Sequence, residues 1–301
     1  VRLPFVPTEL HRSERPSATA EAVALMRAVE NRRPERERIV SDPFAHLFLS
    51  RRTHRLVGPA ASVRPVRDLI ARNAIGSVET FVLCRHRFID EHLAAALQLG
   101  PDTAEQVVIL GAGYDSRAYR FERALSGRSV YEVDLPPLSR LKASIVARFP
   151  MIFGPTAINR VEIDFRRQRL ADQLDAAGFE PGRRTFVVWE GVAPYLTEAA
   201  VTDTLDSLAA LCGKGSTLTF DMWDGKGGAD HLAPVRRLGA RAIALVGEPV
   251  TFGRTPERAA DLLARHGFST VDVADGAELT FRYSTSRRKV LESVYAVAAR
   301  I

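Results

Sequence analysis

From Gln106 onward the chain consists of short apolar runs separated by helix-patterned segments, and this alternation constrains the fold more than any other feature. The runs are "QVVIL" (106–110), "SVYEV" (129–133), "RVEI" (160–163), "TFVVW" (185–189) and "STLTF" (216–220). Segments of helical character occupy 115–125, 136–148, 167–177 and 197–212. Strands that alternate with helices fold as right-handed βαβ units around a parallel sheet. Further on, "TPERAADLLARHGF" predicts a helix capped by Thr255, with Pro256 in its first turn and Gly267 as its stop. "STVDV" and "VLESVYAVAA" supply two final strands. The short connection between them predicts an antiparallel pair at the end of the sheet. The expected class is therefore α/β, with a mostly parallel sheet and a terminal antiparallel hairpin.

The first hundred residues carry helical patterning instead. "ATAEAVALMRAVEN" (18–31) sets Ala22, Leu25, Met26 and Val29 on one helical face. "SDPFAHLFLS" starts at Ser41, a favourable cap, with Pro43 behind it. A long helical stretch runs from about 66 to 99, with a break expected near Gly76 and a stop at Gly100-Pro101. Residues 1–100 read as a helical cap segment and 101–301 as the sheet core, in one compact unit. The glycine-rich excursion at 223–254 ("WDGKGG") reads as a lid. These two segments alone lie outside the βα repeat and are long enough to cover one edge of the sheet.

Composition narrows the function classes. No apolar run approaches the roughly eighteen residues that span a bilayer, so no membrane partner is expected. "VRLPFVPTELHRSERPS" has no stretch long enough for a signal peptide, and a cytoplasmic location is expected. Cys84 and Cys212 lie far apart, without a CxxC or histidine-rich context, so neither a disulfide nor a metal site is expected. The net charge of +6 invites a nucleic-acid reading. "SRRTHR" (50–55) and "SRRK" (286–289) lack interleaved aromatic residues for base stacking, and "RRPERER" (32–38) is interrupted by Glu35 and Glu37. A solvated basic face explains these runs, and no nucleic-acid partner is expected.

In open parallel sheets ligands bind beyond the carboxyl ends of the strands. Here the first strand opens into Gly111-Ala112-Gly113, and the next four end in Glu132-Val133-Asp134, Asp164, Glu190 and Asp221. Gly111 and Gly113 would also suit a plain turn, and Asp115 or Ser116 would equally cap the helix that follows. Taken jointly and in strand order, the acids point to a ligand with hydroxyls, an amino group and positive charge. The sixth position of the dinucleotide fingerprint is Ser116 rather than glycine. Asp115 before it would set a negative charge where a pyrophosphate should lie. S-Adenosylmethionine carries no phosphate, and Asp134 stands 23 residues after Gly111, near the spacing of a ribose-binding acid. Arg85 suits a cofactor carboxylate, although its position alone fits a surface arginine as well.

The segments "RHRFIDEHL", "VVILGAGYDSRAYRF", "VYEVDLPPLSRLKA", "VEIDF" and "VVWEGVAPYLTEAAV" resemble the leucine carboxyl methyltransferase family, most closely its bacterial branch of actinobacterial and polyketide O-methyltransferases. "SATAEAVALMRAVENRRPERERIVSDPFAHLFL" resembles that branch as well, so the likeness covers about residues 17–222. It implies a Rossmann-like methyltransferase fold and S-adenosyl-L-methionine-dependent methyl transfer to oxygen. By motif, it assigns the cofactor's carboxylate to Arg85 and the glycine turn to Gly111, Ala112 and Gly113. The ribose falls to Asp134 with Glu132 beside it, the adenine to Asp164 and Phe165, and the amino group to Glu190. It also places Thr19 to Arg27 over the cofactor. Stretch 223–254 matches no substrate motif, which argues against a protein phosphatase substrate and for a small-molecule acceptor. A protein C-terminal carboxylate is the alternative. Tyr195, Trp223 and Met26 are the expected walls of the acceptor pocket; His46, His86 and His231 are conceivable bases, and no catalytic residue is singled out. An NAD(P) oxidoreductase would want a Tyr-x-x-x-Lys pair and an α/β-hydrolase a G-x-S-x-G turn, and the sequence has neither.

Overall fold

The computed structural model describes residues 18–55, 74–165, 167–224, 252–284 and 288–301. Its centre is a seven-stranded sheet in the order β3-β2-β1-β4-β5-β7-β6. The strands are β1 (Gln106–Leu110), β2 (Ser129–Asp134), β3 (Asn159–Glu162), β4 (Thr185–Trp189), β5 (Thr217–Trp223), β6 (Ser269–Asp275) and β7 (Val294–Arg300). The first five pair in parallel; β7 runs antiparallel between β5 and β6. The strand order reverses between β1 and β4, and in open α/β sheets the carboxyl ends of such a strand pair are where a ligand crevice is expected.

The central strands are apolar without interruption because both faces of the sheet are covered. Val108, Leu110, Val187 and Trp189 point into one core, with Val201, Leu205 and Leu208 of a helix at Glu198–Leu211. Val107, Ile109, Phe186 and Val188 point into the other, against Leu83, Phe88 and Leu93 of a helix at Ala74–Ala96. That second helix is described from Ala74, and residues 66–73, on the other side of the break expected near Gly76, lie outside the described residues.

Two further expectations need correcting. The final strands do pair antiparallel, but a helix at Gly276–Tyr283 separates them, capped by Asp275, which accepts from the Glu278 amide. Stretch 115–125 splits into short helices at Arg117–Arg120 and Glu122–Leu125.

The N-terminal segment packs onto the sheet core through a helix, α1 (Ala18–Glu30), but not by the face that hydrophobic periodicity selects. Ala22, Leu25, Met26 and Val29 are only half-buried. The buried positions are Ala24, Arg27 and Glu30, one turn apart, two of them charged and paired. After α1, Asp42 rather than Ser41 organises the turn, accepting from the amides of Phe44 and Ala45. Phe48 beyond it stacks on Tyr114, with ring centroids 5.2 Å apart. One aromatic cluster thus holds Ala24, Phe48, Tyr114, Tyr119 and Phe153. The putting-together of cap and core is therefore one continuous packing. Most of the proposed lid, residues 225–251, lies outside the described residues, as do residues 1–17. Among the described residues no helix is long and apolar enough to cross a membrane.

Candidate functional site

The turn after β1 is built on two glycines with left-handed backbone, Gly111 at φ 62° and Gly113 at φ 39°. A Cβ at Gly111 would lie 2.2 Å from Val192 Cγ2, so neither conformation nor space admits a side chain. Gly111→Ala is expected to destabilise the protein by about 2–4 kcal/mol, summing left-handed strain and overpacking. Urea unfolding measures this; a loss inside half a unit would mean that Val192 simply moves aside. Above the turn lies α1. A Cβ at Gly113 would meet that of Ala20 at 3.5 Å, and Arg27 Nη2 donates to the Tyr114 carbonyl at 2.6 Å. Arg27 is itself held by Asp42 at 2.8 Å.

Asp134, at the end of β2, folds back on the turn. It accepts from the Gly113 amide at 2.5 Å and from the Leu135 amide at 2.7 Å. Burial pushes its carboxyl up from the ordinary aspartate value, against the pull of those two amides. A carboxylate beside the glycine turn, with lone pairs to spare, suits a pair of ribose hydroxyls. Glu132, two residues earlier on the same strand, is neutralised by its own partners. Lys142 holds one of its oxygens at 2.7 Å and Arg160 the other at 2.8 Å. Asp164 and Phe165 follow β3; Asp164 is partly exposed, and Phe165 packs against the core.

The other end of the crevice is densely ionic. Arg85 donates from Nε to Glu190 (3.1 Å) and from Nη1 to Asp221 (2.7 Å). Asp221 also accepts from the Gly191 amide at 2.5 Å. Gly191 has φ 68°, and a Cβ there would lie 2.8 Å from Arg85 Nη2, so the guanidinium rests against bare backbone. Arg117, wholly buried, donates to Asp90 (2.7 Å), Glu190 (2.7 Å) and Asp115, and to the His86 carbonyl (3.1 Å). Arg120 grips Asp90 with both terminal nitrogens. Burial disfavours the charged form of Glu190, yet His86, Arg117 and Arg85 together hold its carboxyl well below the usual range. Burial lowers the pKa of His86, and the Arg117 charge lowers it further.

Arg85, Asp115 and Glu190, chosen from sequence, are thus brought together, with Asp134 and the glycines at the other end of the same strand edge. Tyr195 ends a short turn of helix, Ala193–Tyr195, just beyond Glu190 and Gly191. Trp223 ends β5, partly buried, and Met26 sits half-buried on α1. Arg117, Arg120 and Asp90 were not anticipated. The i, i+4 spacing of His86 and Asp90 on one helix was the available signal. The donor set fits S-adenosyl-L-methionine: backbone approach at Gly111 and Gly113, a carboxylate beside the glycine turn, and paired acids with an arginine beyond β4. Among the described residues no cluster could hold a metal ion.

The family model described as leucine carboxyl methyltransferase matches residues 20–209. A Mycolicibacterium gilvum (strain PYR-GCK) protein, whose name assigns it to the S-adenosyl-L-methionine-dependent methyltransferases, is 34% identical over 219 residues, 69% of this chain and 67% of that protein. A protein of the same description from Mycolicibacterium paratuberculosis (strain ATCC BAA-968 / K-10) is 32% identical over 268 residues, 87% of this chain and 82% of its own length. The crystal structure of a protein named as a methyltransferase from Thermobifida fusca YX shares the fold. It superposes with a TM-score of 0.55 at 16% identity, covering 84% of this chain and 92% of that one. The chain belongs to the leucine carboxyl methyltransferase family, and it is an S-adenosyl-L-methionine-dependent methyltransferase.

Proposed function

We propose that the protein methylates an oxygen, by preference a carboxylate, of a small acceptor. The observation that carries this reading is α1 lying directly on the glycine turn, held there by Arg27 on the Tyr114 carbonyl. A roof at that distance leaves room for a small acceptor more readily than for a folded protein. The cofactor, when bound, supplies an already activated methyl group. The chain's own work is then to hold it, aim the acceptor and exclude water. In this reading Asp134 takes the ribose hydroxyls, Arg85 the carboxylate and Glu190 the ammonium. Asp115 completes the ionic end, and Asp164 with Phe165 borders the adenine. Glu132, neutralised by Lys142 and Arg160, shapes the turn rather than touching the cofactor. Tyr195 and Trp223 line the acceptor side beneath α1, and Met26 lines it from α1 itself.

His86 is a poor general base for the acceptor, since both its ring nitrogens are engaged inside the ionic cluster. This favours an acceptor that arrives ionised at neutral pH, a carboxylate, over a phenol or alcohol. Incubating extracts with methyl-labelled cofactor tests both points. The label is expected in small molecules and is expected to be released as methanol by mild alkali, as an ester requires. Alkali-stable label would indicate an ether, and label confined to macromolecules would return a protein carboxylate to first place. Calorimetry should also show S-adenosylhomocysteine binding and no NADH binding; tighter binding of NADH would contradict the reading of Asp115.

A further inference from the structure

The geometry points to His86 as a positioning residue for the amino-acid end of the cofactor: uncharged and carrying its proton on Nδ1, it fixes Glu190 and keeps the cluster net negative. This rests on the reading in which Glu190 receives the cofactor's ammonium. The partners of the two ring nitrogens select this tautomer. Nε2 lies 2.7 Å from Arg120 Nη2, a group that can only donate, so Nε2 must accept. Nδ1 lies 3.0 Å from Glu190 Oε2, an ionised oxygen that can only accept, so Nδ1 must carry the hydrogen. Arg117 Nη2 also approaches Nδ1, at 2.9 Å, but it has the His86 carbonyl to donate to. A second ring proton would point Nε2–H at a guanidinium.

The groups that face the ring come from every element around it. They are Asp90 on its own helix, Arg117 and Arg120 after β1, Glu190 after β4, and Asp115 and Asp42 at longer range. In the connected cluster three guanidiniums (Arg85, Arg117, Arg120) stand against four carboxylates (Asp90, Asp115, Glu190, Asp221). With His86 neutral the cluster keeps one negative charge for an incoming ammonium; with His86 protonated it keeps none. Without a donor at Nδ1, Glu190 would keep Arg85 and Arg117 but lose the contact that fixes Oε2 on the His86 side.

Asparagine and glutamine separate the two ring positions. Asparagine places an amide donor near Nδ1, whereas glutamine reaches the Nε2 position and leaves Nδ1 vacant. Binding of S-adenosylhomocysteine and of adenosine, which lacks the amino acid, is measured by calorimetry for H86N, H86Q and E190Q. H86N should bind S-adenosylhomocysteine within about two-fold of the unaltered protein, while H86Q should lose about ten-fold or more, the scale of one hydrogen bond to a charged group. Adenosine affinity should change in neither. Equal losses in H86N and H86Q, with E190Q weakening S-adenosylhomocysteine alone, would overturn the role of His86 and leave that of Glu190 standing. An E190Q protein that binds S-adenosylhomocysteine normally would overturn both. If H86Q does not fold, nitrogen-15 NMR of the histidines in the unaltered protein decides. A neutral Nδ1–H imidazole at pH 7 is expected for His86, and an Nε2–H tautomer or an imidazolium would refute the assignment.

Discussion

Replacing Arg117 by methionine is expected to destabilise the protein by about 3–5 kcal/mol and to abolish measurable S-adenosylhomocysteine binding, because it breaks a buried ion network from its centre. Arg117 is fully buried and holds Asp90, Asp115 and Glu190 at once. Three carboxylates would be left in a low-dielectric interior, with Arg120 and Arg85 as the remaining cations beside Asp90 and Glu190. Lysine should rescue little, since one ammonium cannot span directions that a guanidinium covers with three nitrogens. Urea unfolding and calorimetry on R117M and R117K check this; a stability loss under about 1 kcal/mol would show the network to be dispensable. The pH dependence has a definite sign. Burial raises the pKa of Asp90, but the Arg120 and Arg117 guanidiniums outweigh it and hold the carboxyl below the ordinary aspartate value of 3.8. A carboxylate depressed in the folded state contributes stability above its unfolded pKa and loses it as the pH falls through the folded value. The gap between R117M and the unaltered protein should therefore be widest near neutrality and narrow below about pH 4.

The central strands were legible because burial on both faces leaves no polar alternation to misread: the predicted spans 106–110 and 185–189 coincide with β1 and β4. The strand-end rule likewise picked out Asp134, Glu190 and Asp221 along one edge, and Arg85, chosen separately as a partner for a carboxylate, joins Glu190 across 105 residues of chain. What stayed hidden shares one cause. Arg27, Glu30 and Arg117 are buried charges whose partners are remote in sequence, and a hydrophobic pattern counts every charge as surface. Periodicity therefore turned α1 to the wrong face. Arg117 vanished into a helix too short to display any face. The helix at Gly276–Tyr283 was missed for a different reason. Asp275 followed three residues later by Glu278 is a capping signal, and it was passed over as part of a short connection.

Glu30→Ala should cost about as much as R117M, roughly 3–5 kcal/mol, while acting far from the crevice. Glu30 is fully buried and takes two bonds from Arg288, at 2.8 and 2.9 Å, across 258 residues of chain. It also accepts from Arg33 at 2.9 Å and from the Ile39 amide at 2.7 Å. This carboxylate fastens the end of α1 to the segment that leads into β7. Its loss takes a shared carboxylate from two buried guanidiniums and lets α1 work loose. The folded fraction should still bind adenosine normally, since Asp134 and the glycine turn belong to the sheet core. Turnover should fall more than cofactor binding, because Arg27 and Ala20 ride on the same helix and form the roof over the turn. Removing both charges is the decisive comparison. A buried pair replaced by apolar residues of similar size is often nearly neutral, whereas an orphaned charge is not. E30L/R288M should thus be less damaged in urea unfolding than the sum of its single variants, recovering at least about 1 kcal/mol. Strict additivity would mean that the two residues stabilise the cap through separate contacts, and that the bond between them merely accompanies the docking of α1.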